Sequence, residues 1–174
     1  SGKLYVVVAQ LSFLKRVIDA LHDANISVTS IITQEFSMRD IVSTFNAQTK
    51  TVGILTCNGN DMHFLTIFRN NNIIFFRHFR NDPENELIRT LEFFSATLKQ
   101  PNISQLLVMG ISTEKQKILQ ESLMQFNSSI EFSTLEKNIE ILMQNNEQLS
   151  SEMIYAIGGS LTSGIEQDYG ISTN

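Results

Sequence analysis

The stretch TVGILTCNGNDMHFLTIFRNNNIIFFRHF, residues 51–79, decides how this chain folds. It holds three runs rich in β-branched and aromatic residues: Thr51–Cys57, Asp61–Phe68 and Ile73–Phe79. Asn58-Gly59-Asn60 and Arg69-Asn70-Asn71-Asn72 part them. Turns this short cannot carry a chain back across a sheet, so neighbouring strands must run antiparallel. The segment predicts a three-stranded meander.

Downstream, Asp82-Pro83 opens a helix over residues 84–99, with Asp82 as N-cap and Pro83 at its first position. Leu87, Leu91, Phe94 and Leu98 form its buried stripe, and Lys99 sits favourably near its C-terminus. Pro101-Asn102 ends it. Ser104–Met109 then reads as a strand, Thr113–Phe126 as a helix, Ser128–Ser133 as extended and Leu135–Met143 as a helix. Residues 51–133 therefore run β-β-β-α-β-α-β, the order of a ribonuclease H-like mixed sheet. Beyond the polar Gln144–Gln148 come the apolar Met153–Ile157 and then Gly158-Gly159. The polar tail from Gly164 is expected to fray.

Upstream, Lys3–Ala9 reads as a buried strand and Ser12–Asn25 as an amphipathic helix with Asn25 as its C-cap. Ile26–Thr33 reads as a second strand. Ser37 reads as the N-cap of a helix Met38–Phe45 that turns Ile41, Val42 and Phe45 to one side. Residues 3–45 thereby resemble 105–143: Val17, Leu21, Asn25 and Val28 match Leu119, Leu123, Asn127 and Ile130 at one offset of 102 (119 − 17). The first copy lacks the meander. One and a half copies side by side give an α/β, actin-like architecture with two lobes, the first truncated. The expected domains are a truncated lobe at 1–48, a ribonuclease H-like lobe at 49–164 and a flexible tail at 165–174.

Composition narrows the function. With 42% hydrophobic and 18% charged residues the chain is globular. A net charge of −5 without a basic run argues against nucleic acid and against an anionic membrane surface. Cys57 is the single cysteine, which excludes an internal disulfide, and the three histidines show no ligand spacing. No apolar run has the length of a membrane helix, and no signal peptide is read. Ser1-Gly2 reads as a remnant of tag removal, so the chain is expected to be a portion of something larger.

Short motifs resemble the PilM/GspL family, actin-like cytoplasmic proteins of type IV pilus and type II secretion machines. Gln34-Glu35-Phe36-Ser37-Met38-Arg39 resembles the family's Pro/Phe-containing helix, and Val52-Gly53-Ile54-Leu55-Thr56-Cys57-Asn58 its Val-x-Ile-Leu-Asp-Ile-Gly strand. Leu65–Arg69 and Ile73–Arg77 resemble the return strands. Tyr155-Ala156-Ile157-Gly158-Gly159-Ser160-Leu161 is similar to the family's small-residue turn. The shortened architecture is similar to GspL-type and BfpC-type cytoplasmic regions. The resemblance implies a scaffold on the cytoplasmic side of the bacterial inner membrane. It would dock the secretion or pilus assembly ATPase and inner-membrane platform proteins, and be tethered through a segment outside these residues. Self-association into a homodimer stays open.

The residues themselves argue against catalysis. An actin-class ATPase needs a glycine-rich hairpin around phosphate and an aspartate for Mg²⁺. Thr56 stands where the resemblance puts that aspartate, and Asn58 stands in the glycine position. Gly59 fits an ordinary Asn-Gly hairpin and Asp61 a solvated turn. Gly158-Gly159 reads either as the remnant of an adenine-binding turn or, by preference, as a helix C-terminus using glycine for positive φ. Thr56, Asn58, Gly59, Gly158 and Gly159 are thus degenerate nucleotide-pocket positions. No catalytic, cofactor-binding or metal residue is assigned. A ribonuclease H-type nuclease would need carboxylates on Thr51–Cys57 and Ser104–Met109, and neither has one. A thiol centre of Cys57 with His63 or His78 lacks a group to lower the thiol pKa. A sugar-kinase-related domain lacks its catalytic aspartate. Adjacent Phe75 and Phe76 must face opposite sides of a strand, so one needs cover from outside the immediate core. Phe76 and Phe79 are the partner-binding candidates. The alternative reading is a divergent nucleotide-binding actin-like ATPase.

Overall fold

A computed structural model describes residues 8–45, 50–57, 62–80, 82–143 and 150–162. The chain divides into two compact units, residues 1–32 and 33–174. The division falls earlier than the boundary expected after residue 48.

In the smaller unit, helix α1 spans Leu11–Asp23. Asn25 closes it at φ 59°, with Asn25 N donating to His22 O (2.9 Å) and Ile26 N to Leu21 O (2.8 Å). That pairing satisfies the last carbonyls through a left-handed residue, a conformation asparagine tolerates. The strand expected over Ile26–Thr33 does not form; its described residues are irregular up to the start of the next helix. A strand exists only as part of a ladder, and nothing among the described residues pairs with this one. Residues 3–7 of the other expected strand lie outside the described residues, and Val8 and Ala9 are irregular.

The larger unit is built around one sheet. Its elements in chain order are α2 (Gln34–Phe45), β1 (Thr51–Cys57), β2 (Met62–Arg69), β3 (Asn72–Arg80) and α3 (Pro83–Glu92). A π-helical turn (Phe93–Thr97) follows, then β4 (Gln105–Met109), α4 (Thr113–Phe126), β5 (Glu131–Thr134), α5 (Leu135–Met143) and α6 (Ser151–Thr162). Strand order is β3-β2-β1-β4-β5. β1, β2 and β3 pair antiparallel as the meander predicted. β4 joins β1 parallel and β5 joins β4 parallel, as their helical crossovers require. Asn70 and Asn71, at φ 50° and 60°, make the two-residue turn between β2 and β3.

Alternation along the central strands builds two cores. Leu55, Leu65, Ile67, Leu106 and Val108 face α3 and α4, meeting Leu87, Leu91, Phe94, Leu119 and Leu123. Val52, Ile54, Leu107 and Met109 face the other way, onto Met38, Ile41 and Val42 of α2, Leu135 and Ile139 of α5, and Ile154 of α6. Fully burying one such side chain contributes about 1.5–3 kcal/mol, so helices are held on both faces of the sheet.

Asp82 caps α3 as expected, its carboxylate accepting from Asn85 N, with Pro83 at the start of the helix. The single helix expected to residue 99 instead widens after Glu92, where Leu98 N donates to Phe93 O (3.1 Å). The extra residue in that turn rotates Leu98 out of the buried stripe, and it lies exposed. Ser37 is not an N-cap. It sits inside α2, buried, and its hydroxyl donates back to Gln34 O (2.8 Å), a bond that lets serine occupy a helix interior. No helix of the described residues is long and apolar enough to cross a membrane.

Candidate functional site

In open α/β sheets the C-terminal ends of parallel strands form the usual ligand crevice. Here that end comprises Thr56 of β1, opposite Met109 of β4 in the ladder, with Gly110 just beyond. Thr56 is buried. Its hydroxyl accepts from Gln34 Nε2, at the first turn of α2, at 3.1 Å. The same nitrogen donates to the Tyr155 hydroxyl on α6. One amide thus uses its two hydrogens to tie a strand and a helix together. A chain turn on, Gly158 lies against Ser37, with Ile41 Cδ1 beside it. Gln34–Tyr155 and Ser37–Gly158 are successive contacts of a single α2–α6 crossing.

Across β4, Gly110 adopts φ 70° and its N–H donates to Glu136 Oε1 of α5 at 3.0 Å. This is a backbone donor of the kind that wraps phosphate in nucleotide-binding folds. In this chain an internal carboxylate already accepts from it, and that negative charge opposes an incoming anion. Among the described residues, no group of three or more His, Cys, Asp or Glu is arranged to hold a metal ion.

The expected site residues are distributed unevenly. Thr56 and Gly158 are brought together through α2, whereas Asn58 and Gly59 lie outside the described residues. Gly158 and Gly159 do not end a helix and do not take positive φ; both lie within α6. The helix-terminus reading is corrected, because close approach to the α2 backbone accounts for Gly158. Gln34, Tyr155 and Glu136 carry no spacing that would single them out in the sequence. The visible hints were the two quoted motifs that open on Gln34 and on Tyr155.

Of the two aromatic candidates, Phe79 is 6% exposed and stacks on His63 at 5.8 Å between ring centroids. Phe76 is 43% exposed and stacks on Phe64 at 6.2 Å. Phe75, its neighbour, packs edge-on against Phe94 at 5.6 Å. Phe76 is therefore the member of the pair that reaches the surface.

No family model and no curated protein matches the sequence. Among solved structures, the chain is similar to one from a PilM-PilN type IV pilus biogenesis complex. The TM-score is 0.57 at 15% identity, covering 85% of this chain and 57% of that one. It is also similar to a protein from Bacteroides thetaiotaomicron described as having an actin-like ATPase fold and unknown function. There the TM-score is 0.47 at 13% identity, covering 76% of this chain and 45% of that one. The chain thus spans about half the length of the solved chains it matches. At such identity a likeness speaks for fold. Together with the strand order, it makes this chain an α/β protein of the actin-like, ribonuclease H-like fold.

Proposed function

We propose that this chain is a non-catalytic scaffold in the inner-membrane assembly platform of a type IV pilus or type II secretion system. In this reading it lies on the cytoplasmic side of the inner membrane. It docks the assembly ATPase and membrane platform proteins, and a segment outside these residues tethers it. The fold shared with a chain from a PilM-PilN pilus biogenesis complex supports the choice of machine.

The observation that carries the non-catalytic part is the self-satisfied end of the sheet. Thr56 is engaged by Gln34, and the Gly110 N–H by Glu136. An ATP pocket would need those groups open, and the Glu136 carboxylate beside Gly110 is already committed to that N–H. The test has two arms. Millimolar Mg·ATP should leave the thermal midpoint unmoved, since a ligand of the native state raises it. Co-purification with the assembly ATPase and a PilN-type platform protein should yield a stable complex. An ATP-dependent rise with phosphate release would establish the divergent-ATPase alternative instead.

A further inference from the structure

Among the described residues, β3 lies at the outer edge of the sheet, with β2 as its ladder neighbour. It is nine residues long, against four for β5 at the opposite edge. An outer strand directs one side of its peptide groups away from the sheet, a template on which another strand can pair. Neither β2 nor β3 contains a carboxylate, in a chain whose net charge is −5. Arg77 is engaged internally, with Nη2 at 2.7 Å from Glu86 Oε2 and Nη1 at 2.8 Å from Thr90 Oγ1. His78 and Arg80 are exposed. The carboxylate of Asp82, two residues further, is turned into the α3 cap. Phe76, His78 and Arg80 alternate with the strand pleat and so share one face, where Phe64 backs both Phe76 and His78.

We propose that β3 is a docking edge for an acidic, extended segment of another protein, which adds to the sheet as a further strand. Its backbone pairs with the outer side of residues 74–80 of β3. An apolar side chain covers Phe76, and carboxylates stand beside His78 and Arg80. A second copy of this edge would bring Arg80 and no strand carboxylate to answer it, so it offers no complementary charge. The inference deepens the docking role proposed above and rests on it only for the machine concerned.

The test uses the whole chain and two short capped peptides, Glu-Thr-Glu-Thr-Val-Thr-Glu-Thr-Glu, which carries valine and glutamates on one strand face, and the same peptide with lysine in place of each glutamate. Amide hydrogen exchange should slow along residues 74–80 with the glutamate peptide and not with the lysine peptide, leaving β5 unchanged. Arg80→Glu should weaken the glutamate peptide roughly tenfold and improve the lysine peptide. Phe76→Ser should weaken the glutamate peptide as well. Should either variant misfold, the exchange pattern of the unsubstituted chain still decides. Equal binding of both peptides, no binding, or protection away from β3 overturns the proposal. Protection of β3 that grows with protein concentration alone assigns the edge to a second copy and also overturns it. A stable complex with the assembly proteins alongside a negative peptide result would remove this edge and leave the docking function standing.

Discussion

A β-carbon on Gly158 would lie 2.2 Å from the carbonyl oxygen of Ser37 and 2.7 Å from the carbonyl carbon. The α2 and α6 backbones therefore meet with no room for a side chain. Since the obstacle is backbone, relief requires a helix to move. Gly158→Ala is expected to cost about 2 kcal/mol even after the gain in helix propensity, read as a lower urea midpoint. Gly53→Ala is the contrast. Its β-carbon would meet Ile103 Cδ1 and Leu106 Cδ1 at 3.2 Å, methyl tips that can yield. Its cost should stay below about 1 kcal/mol.

Thr56→Val and Tyr155→Phe each remove one acceptor of the Gln34 amide. Each should cost about 1 kcal/mol in denaturant unfolding. Because one amide serves both, the double substitution should depart from the sum of the two, which a double-mutant cycle measures. Strict additivity would mean that Gln34 does not couple strand and helix.

Asp82 ties acid sensitivity to α3. The Asn85 side chain, donating at 2.7 Å and 3.0 Å, is the main influence holding its carboxyl below the ordinary aspartate range. The Asn85 backbone N–H and the charge of Arg89 act in the same direction, against an opposing effect of desolvation. A folded-state pKa lowered in this way gives stability that is present above the unfolded value, near 3.9, and lost as pH falls through the folded one. Asp82→Asn keeps a residue type that tolerates the left-handed φ of 38° while removing the titration. The unsubstituted chain should therefore melt above the Asp82→Asn variant at neutral pH, and the gap between their thermal midpoints should narrow as pH drops below about 4. A gap that stays constant down to low pH would show that the carboxylate charge contributes nothing to the cap.

Phe79→Ser and Phe76→Ser should separate core from surface. Phe79 is buried on His63, and its loss should cost about 3 kcal/mol or more. Phe76 has only its Phe64 face covered, so its loss should cost less than about 1 kcal/mol. Comparable losses in thermal unfolding would show that Phe76 is part of the core.

The larger unit was legible where short-range chemistry decides the outcome. Asn70-Asn71 accept left-handed φ, so β2 and β3 had to form a hairpin. Asp82-Pro83 began α3 where its cap chemistry required, and the apolar period of Thr113–Phe126 matched α4 from end to end. The π turn at Phe93–Thr97 was not legible, since helical periodicity continues through it in the sequence. Nor was the site: Gln34 lies 22 residues from Thr56 and 121 from Tyr155.

By itself the sequence determined the meander, the crossover helices and the apolar faces that give this sheet its order. Those follow from turn conformations and from side-chain alternation, which act over a few residues. Only the tertiary structure decided that Gly158 is a contact rather than a helix end, that Phe79 is core while Phe76 is surface, and that Thr56 is already engaged. Each depends on which backbone comes to lie beside which, and packing between distant segments sets that.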